Sequence, residues 1–524
     1  MGTRNAKDAP MKPIRLLSGF VTVGMWTMLS RILGFLRDAM ILAFLGTGPA
    51  YEAYVVAFRL PNMFRRFFAE GAFNMAFVPM FSKRYEAGED APGFAGQAFA
   101  GLATVLLALT LLAQVAMPWL VFGLASGFAG QAQFPLAVEF GRIAFPYILF
   151  ISLAALLSGV LNAMGRFAAA AAAPVLLNVL LIGGMAGAAW LGGDVARALV
   201  WTIPVAGVAQ LLLVWLAARK AGFTMPLRRP RWTPAMARLV RVAVPAALAG
   251  GVVQVNLLVG QQVASYFDHA VGWLFAADRL YQLPLGVVGI AIGVVLLPDL
   301  SRRLKAGDTT GGRDALSRAA EISLGLTIPA AVALVVIPLP LVSVLFERGA
   351  TTADDSAAIS MAVMVYGLGL PAFVMQKILQ PLYFAREDTR SPFHYALVAM
   401  VVNAAVAIGL APFIGWIAAA IGTTVAGWAM MAQLAFGARP MGEVARFDAR
   451  FHARIWRIVA AALVMGGVLW GSMALLSPFF AIAGWRYLAL GVLIGIGMLS
   501  YFGIGQMIGA FRLSQFRRAL GRRG

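Results

Sequence analysis

The chain reads as an all-α integral membrane protein. About fourteen transmembrane helices form two parallel six-helix lobes around a central cavity, and two further helices follow at the C-terminal end. Three observations predict this class. Of 524 residues, 61% are hydrophobic and only 12% are charged, whereas soluble domains carry about a quarter charged residues. Apolar runs of twenty or more residues recur from end to end. Basic residues collect in every second loop.

The runs are continuous, so they are helices and not the alternating strands of a membrane barrel. They predict spans at 16–45, 51–82, 95–123, 135–163, 168–191, 195–218, 237–267, 272–300, 316–346, 356–384, 392–412, 416–437, 455–477 and 485–510. The first run is too long for a cleavable signal peptide and carries Arg31, Arg37 and Asp38, so it reads as a retained helix. An even number of spans returns both termini to one side. The loops and tails of that side hold 31 of the 42 Lys and Arg, against Arg197, Arg348 and Arg486 on the other. By the positive-inside rule the basic side is cytoplasmic. The net charge of +20 is therefore topological, and nucleic acid is not needed to explain it.

The chain repeats itself. Pro79, Ser82, Arg84, Ala87 and Gly88 recur as Pro298, Ser301, Arg303, Ala306 and Gly307, an offset of 219. Ala57, Arg59 and Leu60 recur as Ala277, Arg279 and Leu280, and Pro146 and Asn178 as Pro371 and Asn403. Six spans thus occur twice in one orientation, as in carriers with a cavity between two lobes. The divisions are an N-terminal segment 1–15, a first lobe 16–220, a second lobe 236–437, a C-terminal pair 454–511 and a basic tail 512–524. In the tail, Leu513, Phe516 and Leu520 share a helical face among five arginines, which fits either anionic lipid as a partner or a solvated tail that only sets topology.

Several charges stand where a bilayer disfavours them, at a cost of about 2.5–3.5 kcal/mol each at mid-depth. Span 1 carries Arg31, Arg37 and Asp38. In span 2, Glu52, Arg59, Asn62, Arg66 and Glu70 keep one helical face, with Arg65 beside it and Pro61 able to bend the helix. Span 8 adds Asp278 and Arg279. Six arginines among these meet four acids. A guanidinium surplus in a cavity calls for an anion, and the planar fork suits phosphate. The bland reading is internal salt bridges, and the count leaves it incomplete.

Other chemistry has little to build from. There are no cysteines, and His269, His394 and His452 are far apart, which disfavours a metal centre. His269 and His452 read as solvated loop residues. No phosphate-binding Gly-x4-Gly-Lys-Ser/Thr loop occurs, so no nucleotide or other cofactor is expected and no catalytic residue is assigned.

The strings Ser30–Asp38, Ala57–Phe73, with its Leu-Pro-Asn, Arg-Arg and Ala-Glu-Gly-Ala-Phe, and Ala277–Pro284 resemble the MurJ (MviN) lipid II flippases. The resemblance spans essentially the full chain. It implies the fold of the multidrug/oligosaccharidyl-lipid/polysaccharide exporters. It implies transport of undecaprenyl-diphosphate-linked peptidoglycan precursor from the cytoplasmic to the periplasmic leaflet of the bacterial inner membrane. It makes lipid II the substrate and the peptidoglycan synthesis machinery a candidate partner. Its cavity arginines fall on Arg31, Arg37, Arg65 and Arg279, and its acidic and polar positions on Asp38, Glu52, Asn62, Glu70 and Asp278. It also implies a lipid-tail groove at 454–511. The chain departs from sodium-coupled members. Span 7 offers Gln254, Asn256, Gln261 and Gln262 but no carboxylate before Asp268, and span 11 has Asn403 followed by Ala407. Rival readings remain: a cation-coupled multidrug exporter of the same fold, which would want acidic cavity residues, an exporter of another polyprenyl-linked oligosaccharide, and a non-transporting scaffold with dispensable charges.

Overall fold

Among the described residues every regular element is a helix. The structure, a computed structural model, describes residues 16–65, 72–226, 229–291, 297–482 and 484–510. The helices in chain order are α1 Leu16–Leu45, α2 Pro49–Arg65, α3 Ala72–Glu86, α4 Ala91–Leu124, α5 Gln133–Ala144, α6 Tyr147–Ala163, α7 Ala168–Trp190, α8 Val195–Lys220 and α9 Pro234–Ala264. They continue as α10 Ala270–Ala291, α11 Leu297–Lys305, α12 Thr309–Val336, α13 Pro338–Phe346, α14 Ala353–Phe384, α15 Arg390–Ile414, α16 Ala418–Gly437, α17 Ala449–Phe480 and α18 Trp485–Met507. Ten helical stretches among the described residues are long and apolar enough to cross a bilayer. Many large apolar side chains on them are exposed, including Trp190, Phe413, Leu475 and Met507. Water would not tolerate such a surface, and lipid does.

Sequence spans and helices differ at prolines. Span 4 is α5 and α6, divided at Phe145–Pro146, and span 9 is α12 and α13, divided at Ile337 before Pro338. Proline ends a helix because it lacks the N–H and crowds the preceding turn. Span 2 appears as α2 and α3, and Arg66 and Glu70 lie outside the described residues. The basic tail 512–524 also lies outside them.

The chain divides into two compact units. The first comprises residues up to Asp38, Ala57–Met117 and Glu139–Gly250. Its helices α6, α7 and α8 pack together. The Tyr147 hydroxyl donates to Gln210 Oε1 at 3.1 Å, and the Gln210 amide donates to the Ala173 carbonyl at 2.7 Å. Polar groups buried in an apolar bundle thus satisfy each other across three helices.

The second unit comprises Ala39–Val56, Pro118–Val138 and the chain from Gly251 onward. Leu300, Leu316, Leu324, Ile378, Leu382, Tyr383 and Leu434 form one buried core in it. Another joins Ala461, Ala462, Met465 and Leu469 of α17 to Leu493 and Tyr501 of α18. At the foot of α12, buried Glu321 takes Arg318 at 2.5 Å, Arg450 at 3.4 Å and also Arg454. Asp448 pairs with Arg318 and caps α17 by accepting from Phe451 N at 2.7 Å. Removing the carboxylate would leave Arg450 and Arg454 without their acid and Arg318 with Asp448 alone. Glu321→Ala is expected to destabilise the protein by about 3 kcal/mol, read as a lower melting temperature in detergent, with Glu321→Gln in between. An unchanged melting temperature would show that the arginines simply turn to solvent.

The repeat reappears in local geometry. Gly88 after α3 and Gly307 after α11 both have positive φ, 69° and 72°. That conformation ends a helix at little steric cost only with glycine. Next, Asp90 and Asp308 each accept a backbone N–H three residues on, from Gly93 and Gly311, at 2.8 Å. The same turn, capped the same way, restarts the chain in both halves.

Candidate functional site

The sequence-predicted residues fall in both units. In the first, α1 carries Arg31, Arg37 and Asp38. Arg31 is exposed, Arg37 half-buried and Asp38 buried. Arg37 donates from Nε and Nη2 to Asp38 Oδ1 at 2.9 and 2.6 Å. It also donates from Nη1 to Asn178 Oδ1 on α7 at 2.8 Å. Asn178 donates in turn to the Ser30 carbonyl at 3.0 Å. Sequence reasoning singles out Asn178 only as half of a repeat pair, yet it is a direct partner of Arg37. On α2, Arg59, Asn62 and Arg65 are half-buried.

In the second unit, Glu52 is buried in the first turn of α2. It accepts from the Gln133 amide at 3.2 Å and from Val271 N at 3.1 Å. Both donors are neutral. Glu52 therefore does not spend its charge on an arginine in the way Asp38 does. On α10, Gln282 donates to Asp278, and the Arg279 guanidinium lies 4.2 Å above the Phe275 ring. A cation over an aromatic face is held without being neutralised by that contact.

Around Glu52 the unit is closed by a polar network. Thr47, between α1 and α2, donates to Asp355 Oδ1 at 2.5 Å. Its single proton is then spent, so His269 Nδ1, 3.0 Å from Thr47 Oγ1, is the N–H donor of that pair. Trp273 Nε1 donates to the same carboxylate oxygen at 2.8 Å. Thr351 Oγ1 and Ala350 N donate to the Leu42 and Ala43 carbonyls, each at 2.8 Å. A Cβ at Gly349 would lie 2.1 Å from the Ala43 oxygen, so only glycine lets the backbones approach this closely. His269 is thus half-buried and bonded, in a left-handed conformation with φ 62°. The solvated reading of it fails because its partners come from far along the chain. His452 is exposed but sits in the first turn of α17, not in a loop.

The polar residues of span 7 are partly spent on structure. Gln261 donates to the Leu124 carbonyl at 3.3 Å, and Gln262 donates to Ser126 Oγ at 2.5 Å. The side chains of Gln254 and Asn256 lie outside the described residues. In α16, the Thr423 and Thr424 hydroxyls each donate to a backbone carbonyl, of Ala419 and Val365, at 3.0 Å.

The family model of the lipid II flippase MurJ matches residues 41–490. The chain belongs to the MurJ family of lipid II flippases. The probable lipid II flippase MurJ of Rhizobium tropici is 42% identical over 519 residues, covering 97% of each chain. A solved lipid II flippase MurJ in an inward closed conformation superposes with a TM-score of 0.78 at 24% identity, covering 93% of this chain and 98% of that one. A solved inward-facing multidrug resistance MATE transporter of the MOP superfamily gives 0.68 at 15% identity, covering 81% and 98%. These two structures show the fold, which MurJ shares with drug exporters. As a MurJ family member, the chain is a multi-pass protein of the bacterial inner membrane.

Proposed function

We propose that this chain carries lipid II from the cytoplasmic to the periplasmic leaflet by alternating access. The observation that carries the reading is its near full-length similarity to a probable lipid II flippase. Both termini are cytoplasmic in this reading, supported by the asymmetry of basic loops. The head group enters a cavity between a first lobe, 16–220, and a second, 236–437. Arg37, Arg65 and Arg279 bind the diphosphate, and Arg31, Asp38, Glu52, Arg59, Asn62, Arg66, Glu70 and Asp278 complete the polar lining.

The undecaprenyl tail cannot follow the head through a polar cavity without a large hydrophobic cost. It runs instead along 454–511. In support, a Cβ added at Gly491, Gly495 or Gly503 of α18 would meet no atom within 4 Å. Those three glycines are therefore not explained by packing within the chain. The tail 512–524 rests on anionic lipid, and the peptidoglycan synthesis machinery is a further partner.

Depletion of the protein in its own cells, followed by an assay of the leaflet that holds lipid II, tests the function. Lipid II is expected to accumulate on the cytoplasmic side before lysis. An unchanged distribution between leaflets after full depletion would overturn the reading.

A further inference from the structure

The Arg37 guanidinium is gripped from two directions. Asp38 follows it in the chain and takes Nε and Nη2. Asn178 reaches it from α7 and takes Nη1 at 2.8 Å. Asn178 is 4% exposed, so its amide can turn only as its neighbours allow. Its nitrogen donates to the Ser30 carbonyl at 3.0 Å, two turns before Arg37 on the same helix. That bond fixes which end of the amide faces the cation. A flipped amide would set donor against donor at Arg37 and acceptor against acceptor at Ser30. α7 lies against this face of α1: a Cβ on Gly34 would stand in ordinary contact, 3.6 Å, with the Asn178 amide nitrogen.

The chemistry of the partner matters. A carboxylate at 178 would also accept from the guanidinium, but it would lose the N–H that anchors the group to Ser30. It would also add a second negative charge to an arginine that already shares one with Asp38, and so cancel attraction for an anion. An amide oxygen orients through its dipole and leaves the charge in place. Arginine's value for phosphate lies in the direction of its planar fork, and a long side chain loses that direction unless something holds it.

We propose that Asn178 is a positioning residue for anion binding: it fixes the plane of the Arg37 guanidinium for a phosphate group and adds no charge of its own. The proposal rests on the reading that Arg37 meets the diphosphate. In the second half of the repeat, Asn403 is likewise buried, 2% exposed, although α9 carries no arginine beyond Arg241. Asparagine at this place therefore also serves packing, and the experiment must separate the two roles.

The full chain in nanodiscs is titrated with undecaprenyl diphosphate, with undecaprenol as the phosphate-free control. Asn178→Ala is expected to weaken diphosphate binding about tenfold, the scale of one hydrogen bond to a charged group, and to leave undecaprenol binding unchanged. Asn178→Asp, which is isosteric, is expected to lose at least as much and to melt lower, because its second oxygen faces the Ser30 carbonyl; with undecaprenol binding as the control for folded protein, it carries the test if the alanine variant does not accumulate. In an Arg37→Ala background, adding Asn178→Ala is expected to change binding less than about twofold, because coupled residues are not additive. Equal losses from Asn178→Ala with and without Arg37 would mean packing alone and would overturn the proposal. So would wild-type binding by both Asn178 variants. If Arg37→Ala itself binds like the wild type, the assignment of Arg37 fails, and the proposal fails with it for that separate reason.

Discussion

Alanine at Arg37, Arg65 or Arg279, introduced singly, is expected to abolish rescue of a depletion strain at normal membrane abundance of the protein. The size of the effect follows from the setting. Each charge lies on a helix in or at the edge of an apolar span, where water is scarce and a hydrogen bond to an ionised group is worth about 1.5–3 kcal/mol. Loss of one arginine then costs roughly ten- to a hundredfold in affinity for a diphosphate. Lysine keeps the charge but loses the bidentate fork, so it is expected to rescue incompletely and unequally. Asp38 and Asn178 alone take three hydrogen bonds from the planar group of Arg37, so lysine should lose much there. Arg279 stacks on Phe275, a contact an ammonium also makes, so Arg279→Lys should keep that contact and rescue in part. Membrane abundance is checked by immunoblot and growth by dilution series. Full growth with all three alanine variants would remove these arginines from the diphosphate site.

The residues legible in the sequence are those whose position is penalised by the bilayer. Arg31, Arg37, Arg59, Arg65 and Arg279 stand out because an apolar run predicts a hydrophobic residue in their place. The helices are legible for the same reason. Pro146 and Pro338 carry the breaks at α5–α6 and α12–α13, although span length alone passes over them. What periodicity cannot carry is the partner. Asn178 lies 141 positions from Arg37, and Gln133 lies 81 from Glu52. A charge count makes Glu52 a partner for arginine because sign is all it weighs. The donors to Glu52 are an amide and a backbone N–H, which no such count anticipates. His269 escapes in the same way: a histidine between two spans gives no hint that Thr47 and Asp355 converge on it.

The second large effect concerns that convergence. Within the second unit, the turn at 46–48 is fastened to the 265–273 segment and to the 347–355 loop through Thr47, His269, Trp273 and Asp355. These turns belong to the side poor in basic residues, which is the periplasmic side in the proposed orientation. A carrier that works by alternating access must close each face before the other opens. If the periplasmic face opens here, the Thr47–Asp355 contact breaks once per cycle. The chain has no cysteine, so a pair introduced at Thr47→Cys and Asp355→Cys has no competing thiol. Thr47 Oγ1 and Asp355 Oδ1 are 2.5 Å apart; a cysteine sulfur at 355 stands one bond short of that oxygen, so a small local shift is needed to form a bond of about 2.05 Å. Oxidation of the pair in cells is expected to stop lipid II reaching the periplasmic leaflet and to halt growth, and a reductant should restore both. Each single cysteine variant must grow under the same oxidant, because either one loses a hydrogen bond of the network without being tied shut. A cross-linked protein that still delivers lipid II to the periplasmic leaflet at the uncross-linked rate would show that these turns stay together throughout transport, and the opening would have to be sought on another face.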